Sequence, residues 1–237
     1  MNISASNQHI SQEDNQKIGA LRWPILEELA YAVRHEVGRN GWFILRTPSI
    51  SSQEFRCIGE MLGSVISDGK VTILSGPVSL ATSTQALPLH NDEPLARYIA
   101  WYCERQQAEQ AVGTNLLDIS NFRSSLGETN ILLLSTIVIP GAGRRCKDER
   151  AVIFVDGEPR LNFIPWAQHI LDSPDKVRAY DALHQYVKAR AADPGNVSSV
   201  ILSEGEMLFI DNNRFLHGRD SLDAQSIRCL RRLWIEG

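Results

Sequence analysis

The sequence predicts a mainly β protein, a jelly roll or barrel with helices packed outside it, and three observations carry that expectation. Two helical patterns come first, a series of strand-like runs follows with one helix inserted, and the βα alternation of a doubly wound sheet is missing. The 237 residues suit one large domain, the better expectation for a β-rich chain of this length. Hydrophobic residues make up 43% and charged residues 22%, so the chain can bury a sizeable core.

Residues 1–20 are polar and predict a flexible N-terminal tail, leaving 21–237 as the single domain. The tail lacks the apolar run of a signal peptide, and no 18-residue apolar segment follows, so no membrane partner is expected. In WPILEELAYAVRHEVGRNG (23–41), apolar residues recur near helical spacing, with Pro24 early and Gly41 past the end. WFILR (42–46) reads as a short buried strand. SSQEFRCIGEMLGSV opens with Ser51 and Glu54 in capping-box spacing and predicts a second helix ending near Gly63. Residues 97–104, 114–119, 130–140, 151–156 and 159–164 read as strands bounded by Gly, Pro and Asp turns. A helix is expected over 173–192. Two more strands, SSVILSEGEMLFID (turning at Glu204-Gly205-Glu206) and RCLRRLWIE, close the chain. A fold of this kind leaves a cavity between its sheets, where ligand sites occur preferentially.

The net charge of −4 and the lack of a long basic run argue against nucleic acid or an anionic membrane as partner, and favour a small molecule. Cys57, Cys103, Cys146 and Cys229 are scattered without a CxxC pair, which excludes zinc-ribbon spacing and reads as free thiols in a reducing cytoplasm.

The chemistry-bearing stretch is LPLHNDEP (87–94). In an extended segment positions i and i+2 share a face, so His90 and Asp92 converge. Alone the pair reads equally well as a hydrogen-bonded turn, since a His-x-Asp pair arises by chance in a chain of this composition. The C-terminal stretch GEMLFIDNNRFLHGRDSLDAQSIRCLRRLWIEG adds His217 and a basic cluster, Arg228, Arg231 and Arg232. On a strand, Arg228 and Arg232 share one face and Arg231 takes the other. That pair reads either as an anion clamp in an apolar cavity or as solvated arginines on an edge strand. Two histidines and a carboxylate with open positions make the facial triad of non-haem Fe(II) sites. A nearby arginine would hold the far carboxylate of a 2-oxo acid.

With these residues in view, the sequence resembles the clavaminate synthase-like and taurine dioxygenase superfamily of Fe(II)/2-oxoglutarate-dependent oxygenases over most of residues 35–237. The resemblance lies in GRNGWFILRTPSISSQEFRCIGEMLGSV, LPLHNDEP, VGTNLLDISNF and GEMLFIDNNRFLHGR…RCLRRLWI. It implies a double-stranded β-helix, a jelly roll, as the core. It implies His90, Asp92 and His217 as catalytic metal ligands for Fe(II), and Thr114 and Arg228 as contacts of the co-substrate 2-oxoglutarate, with O2 as oxidant. It also implies hydroxylation of a small molecule such as an amino acid or natural-product intermediate, with release of succinate and CO2; desaturation and cyclisation are alternatives within such families. Asp92 disfavours halogenation, for which family members replace the carboxylate. Arg232, Arg160, Asn91 and Glu93 are candidate substrate contacts. Residues 141–150 are candidates for a loop at the cavity mouth. The remaining histidines (His9, His35, His169, His184) and Trp42, Trp101 and Trp234 are expected to serve the surface or the core. Two rival readings are a cupin-like metalloenzyme using the same triad without 2-oxoglutarate and a non-catalytic jelly-roll binding protein.

Overall fold

The computed structural model describes residues 23–237 apart from 48–49, 75, 78, 108–110, 142–147 and 224. The predicted tail over 1–20, most of the 141–150 stretch and Cys146 lie outside the described residues. Among those described, no helix is long and apolar enough to cross a membrane.

Helix α1 (Trp23–Asn40) buries Leu26, Ala30, Val33 and Val37, a single stripe at spacings of four, three and four. Gly41 ends it at φ 82, where an added Cβ would lie 2.3 Å from the Phe215 ring, so only glycine turns the chain there into β1 (Trp42–Leu45). Helix α2 (Ser52–Leu62) starts on the predicted capping box. Glu54 N–H donates to the Ser51 hydroxyl, and Ser51 N–H donates to the Glu54 carboxylate at 2.7 Å.

The strands that follow are β2 (Ser64–Thr72), β3 (Leu87–His90), β4 (Tyr98–Gln106) and β5 (Thr114–Asp118). After helix α3 (Phe122–Leu134) come the short β6 (Val138–Ile139), β7 (Glu149–Arg150), β8 (Val152–Val155) and β9 (Glu158–Leu161). Helix α4 (Pro174–Ala192) precedes β10 (Val197–Val200), β11 (Met207–Asp211), β12 (Phe215–Arg219) and β13 (Arg228–Glu236).

These strands build a five-stranded sheet, β1-β11-β4-β13-β2, and a four-stranded sheet, β10-β5-β12-β3, with every pairing antiparallel. Side-chain alternation sorts each strand into two layers. On β4, Tyr98 and Ala100 join α1 and α2 outside the five-stranded sheet, while Ile99, Trp101 and Cys103 face the space between the sheets. On β5 and β12, Leu117 and Leu216 pack under α3 and α4, while Leu116 and Phe215 face inward. Three apolar clusters thus stack as helices, sheet, interior, sheet, helices, the jelly-roll arrangement expected.

The structure corrects one predicted strand. Most of 130–140 belongs to α3, and only Val138–Ile139 is extended. The run NILLLSTIVIP is apolar throughout, and a continuous apolar run carries no period that separates strand from helix. Phe122 and Leu126, then Ile131 and Leu134 beyond a kink at Gly127, settle the matter by packing against α4. Three strands, β2, β7 and β12, were not anticipated; the two-residue β7 lies in the stretch expected to be a loop. β2 is an edge strand of mixed polarity, and β12 is only five residues long and holds His217 and Arg219.

Candidate active site

His217 and His90 are direct cross-strand partners on β12 and β3. Their rings therefore meet at a centroid distance of 4.3 Å. Gly218 makes this possible: a Cβ there would lie 2.5 Å from the Leu87 carbonyl oxygen, so the two strands approach only across a glycine. Strand β3 stops at His90, and Asp92 arrives from the loop beyond it. That loop is fastened by Asn91 and Asn212. Asn91 N–H donates to the Phe163 carbonyl at 3.0 Å, Asn91 Nδ2 to the Asn212 carbonyl at 2.8 Å, and Asp92 N–H to Asn212 Oδ1 at 3.3 Å.

One ligand atom each from His90, Asp92 and His217 lies within 4.8 Å of the others. His90 Nδ1 sits 2.9 Å from the Pro88 carbonyl oxygen, so it carries the proton and leaves the Nε2 lone pair facing Asp92 Oδ1 at 3.7 Å. His217 Nε2 is 3.6 Å from Asp92 Oδ2. Burial, and after it the His90 ring, push the His217 imidazole down to about 3, so it is neutral and its lone pair is available. Burial alone would raise the Asp92 carboxyl, but Arg232 and the two imidazoles outweigh it and hold the group well below the usual carboxylate range. Two imidazoles and one ionised carboxylate, converging in a buried pocket, are the donor set of a divalent first-row metal.

The opposite sheet supports this trio. β13 points Arg228, Arg232 and Trp234 inward, while Arg231 turns outward to Asp68 at 2.6 Å and to Ser52. Arg232 Nη1 donates to both oxygens of Asp92, at 3.2 and 3.0 Å, and Trp234 Nε1 donates to Asp92 Oδ2 at 2.8 Å. The Arg232 guanidinium also lies 4.8 Å from the Trp234 ring centre. Trp101 and Trp166 meet His217 and His90 edge-on, at 4.9 and 4.8 Å. Trp101 and Trp234, expected to be core residues, are therefore also part of the site.

Arg228 is 8% exposed and has no carboxylate partner among the described residues; Gln106 Oε1 and Thr114 Oγ1 accept from it, each at 3.2 Å. Burial, and then the neighbouring Arg219, pull its guanidinium down to about 10, still cationic at neutral pH. Arg219 stands opposite Thr114 in register and donates to the carbonyls of Leu80, Ser83, Gln85 and Asp220. A small pocket of about 40 Å³ is lined by Thr114, Arg219, Arg228, Arg232 and His217. Beside it opens a cavity of about 540 Å³ lined by His90, Asp92, Glu93, Asn162, Trp166 and Arg232 among others.

Of the remaining candidates, Asn91 borders this cavity but spends both ends of its amide on backbone groups of Asn212, Phe215 and Phe163. Arg160 is not among the residues that line it and donates to the Pro94 carbonyl at 3.5 Å. Sequence reasoning passed over Arg219, Trp234, Trp166 and Asn162. Arg219 is two residues from His217 and Trp234 two from Arg232, so strand alternation would have flagged both. Trp166 and Asn162 carry no such signal.

The family model described as Taurine catabolism dioxygenase TauD, TfdA family matches residues 142–234, the part of the chain that carries His217, Arg228 and Arg232. No curated protein matches the sequence. Among solved structures, an asparagine oxygenase in complex with Fe(II), 2S,3S-3-hydroxyasparagine and succinate is similar at a TM-score of 0.68 and 15% identity, over 90% of this chain and 79% of that one. The non-heme iron oxygenase OrfP with Fe and alpha-ketoglutaric acid gives 0.64 and 18%, over 90% and 78%. OrfP with Fe, succinate and (3S)-hydroxy-L-Arg gives 0.66 and 17%, over 94% and 88%. At such identities the structures establish the fold, a double-stranded β-helix with flanking helices. With the family match over residues 142–234 and the His-x-Asp…His cluster set into that fold, the chain is similar to the TauD/TfdA family of Fe(II)/2-oxoglutarate-dependent oxygenases.

Proposed function

We propose that the protein hydroxylates a small amino acid, with Fe(II) held by His90, Asp92 and His217 and 2-oxoglutarate held by Arg228 and Thr114. The observation that carries this reading is the Arg228 guanidinium, buried beside the triad with only neutral partners. A buried cation without a counter-ion costs several kcal/mol, so a pocket that keeps one is suited to an anion. The distal carboxylate of a 2-oxo acid is the natural occupant, paired to Arg228 and bonded by the Thr114 hydroxyl. When bound, Fe(II) and 2-oxoglutarate supply the power to insert one atom of O2 into a C–H bond, with release of succinate and CO2.

The chain's own residues do the positioning. Arg232 and Trp234 fix the orientation of Asp92, and the Pro88 carbonyl fixes the tautomer of His90. Trp101 and Trp166 flank the imidazoles and exclude water from them. In the large cavity Glu93 suits an ammonium group. Arg232, which spends Nη1 on Asp92, retains other N–H groups for a carboxylate. An acid and a base facing one cavity favour a zwitterion. The solved relatives, which hold hydroxyasparagine and hydroxyarginine, lend weight to an amino acid.

A metalloenzyme using the triad without 2-oxoglutarate leaves buried Arg228 unexplained, and a non-catalytic protein leaves the converging triad unexplained. The test is succinate release from 2-oxoglutarate by the Fe(II)-loaded protein across the standard L-amino acids. Stimulation well above the substrate-free rate by at least one of them is expected. Oxygen uptake that does not require 2-oxoglutarate would contradict the proposal.

A further inference from the structure

Arg228 is held by two neutral acceptors, and one of them has an anchor of its own. Gln106, at the end of β4, is the cross-strand partner of Arg228 on β13. Its Oε1 accepts from Arg228 Nε at 3.2 Å, and its Nε2 donates to the Leu202 carbonyl at 3.0 Å. These two bonds give the amide a single sense, because a flip would set N–H against N–H and oxygen against oxygen. Leu202 is buried in the inter-sheet cluster, so the anchor belongs to the core.

An acid would grip a guanidinium more strongly than an amide does. One stands nearby: Glu204 Oε1 accepts from the Gln106 backbone N–H at 3.3 Å, yet the bonds of Arg228 go to Gln106 and Thr114. A carboxylate in place of the Gln106 amide would neutralise the cation and leave little attraction for an incoming anion. The amide fixes the guanidinium without spending its charge. Of the N–H groups of Arg228, Gln106 takes the one on Nε and Thr114 takes one on Nη2. Those on Nη1 stay free among the described residues. Arg228 and Thr114 share the small pocket with His217, where a carboxylate would meet that fork.

We propose that Gln106 is a positioning residue for the co-substrate: its anchored, neutral amide orients Arg228 and reserves the guanidinium charge for the distal carboxylate of the 2-oxo acid. This rests on the 2-oxoglutarate reading above.

The test titrates two ligands anaerobically into the Fe(II)-loaded protein. One is 2-oxoglutarate; the other is 2-oxopentanoate, which carries a methyl group in place of the distal carboxylate. The wild type should bind 2-oxoglutarate at least tenfold more tightly. Gln106→Glu, equal in size, should bind 2-oxoglutarate at least tenfold more weakly than the wild type, because its own carboxylate occupies Arg228. Gln106→Met keeps the length of the side chain but removes both hydrogen bonds, and should weaken 2-oxoglutarate roughly three- to tenfold. Neither variant should change the affinity for 2-oxopentanoate or Fe(II) by more than about twofold, since neither ligand meets Arg228 through a carboxylate. In turnover, KM for 2-oxoglutarate should rise in both variants while kcat at saturating co-substrate holds.

Wild-type 2-oxoglutarate affinity in folded Gln106→Glu and Gln106→Met overturns the role of Gln106 and leaves the Arg228 clamp standing. Equal weakening of 2-oxoglutarate and 2-oxopentanoate also overturns it, since that is the signature of a residue that merely supports the fold. A wild type that binds the two ligands equally well overturns the clamp and this inference together.

Discussion

Arg228 and Asp92 show how single side chains in this site are matched to charges they do not themselves carry. Replacing Arg228 by alanine removes the guanidinium that donates to Thr114 Oγ1 and that is proposed to pair the distal carboxylate. The loss of a buried charge-assisted pair should raise the 2-oxoglutarate KM about 100-fold or more, while Fe(II) affinity changes little. Titration of each ligand into the variant separates the two effects. Trp234→Phe keeps an aromatic ring against Arg232 but deletes the donor to Asp92 Oδ2. Loss of such an outer partner should weaken Fe(II) binding roughly tenfold, at the low end of what comparable groups contribute. Metal-affinity measurements under anaerobic conditions would detect it, and wild-type affinity in the variant would show that Arg232 alone orients the carboxylate. At this scale much was legible in the sequence. His90, Asp92, His217 and the same-face pair Arg228 and Arg232 were named from residue type and spacing, because ligand chemistry restricts which side chains can serve, and Thr114 was named from the family resemblance. Trp166 and Asn162 were not, because they reach the cavity from the loop after β9, and no local period announces such an approach.

Among the elements, the pairing of β12 with β3 is the most demanding, because it sets the His90–His217 distance. Gly218→Ala would place a methyl group 2.5 Å from the Leu87 carbonyl oxygen and 3.0 Å from the Pro88 carbonyl carbon. Backbone cannot yield as a flexible side chain would, so β3 must shift. The variant should lose about 2–3 kcal/mol of stability and most of its Fe(II) affinity. Thermal unfolding and metal titration check the two. On the other face, Asp68 of β2 accepts from Arg231 of β13 and Arg56 of α2, tying an edge strand to a helix. Burial would raise the Asp68 carboxyl, but the two arginines outweigh it and hold the group below its ordinary value of 3.8. A depressed carboxyl stabilises the fold above its unfolded value, and the contribution fades as pH falls through the folded one. Asp68→Asn should therefore cost roughly 2 kcal/mol near neutrality, since it strands two partly buried arginines. The melting-temperature gap to wild type should narrow below about pH 4; a gap that widens on acidification would contradict the assignment. The elements with a clear period or cap, such as α1 and α2, were readable in advance. Helix α3 was not, because its leucine-rich half has no period, and packing against α4 decided its conformation.

For the whole molecule, two antiparallel sheets hold the three would-be metal ligands on one side and the arginine clamp on the other. His90, Asp92 and His217 come from β3, its following loop and β12; Arg228, Arg232 and Trp234 come from β13. Site and interior core are thus one structure, since Trp101 and Leu230 belong to the inter-sheet cluster and also border the small pocket. The layered architecture followed from element order alone, whereas sheet assignment needed long-range pairings such as β13 with both β2 and β4. The account depends on both sheets contributing to a single metal and co-substrate site. Anaerobic titration calorimetry with Fe(II), followed by 2-oxoglutarate, tests this most directly. One Fe(II) per chain should bind, abolished in His217→Ala, with 2-oxoglutarate binding tightly to the metal-loaded wild type and at least 100-fold more weakly to Arg228→Ala. Fe(II) binding that survives in His217→Ala, or 2-oxoglutarate affinity indifferent to Arg228, would contradict it.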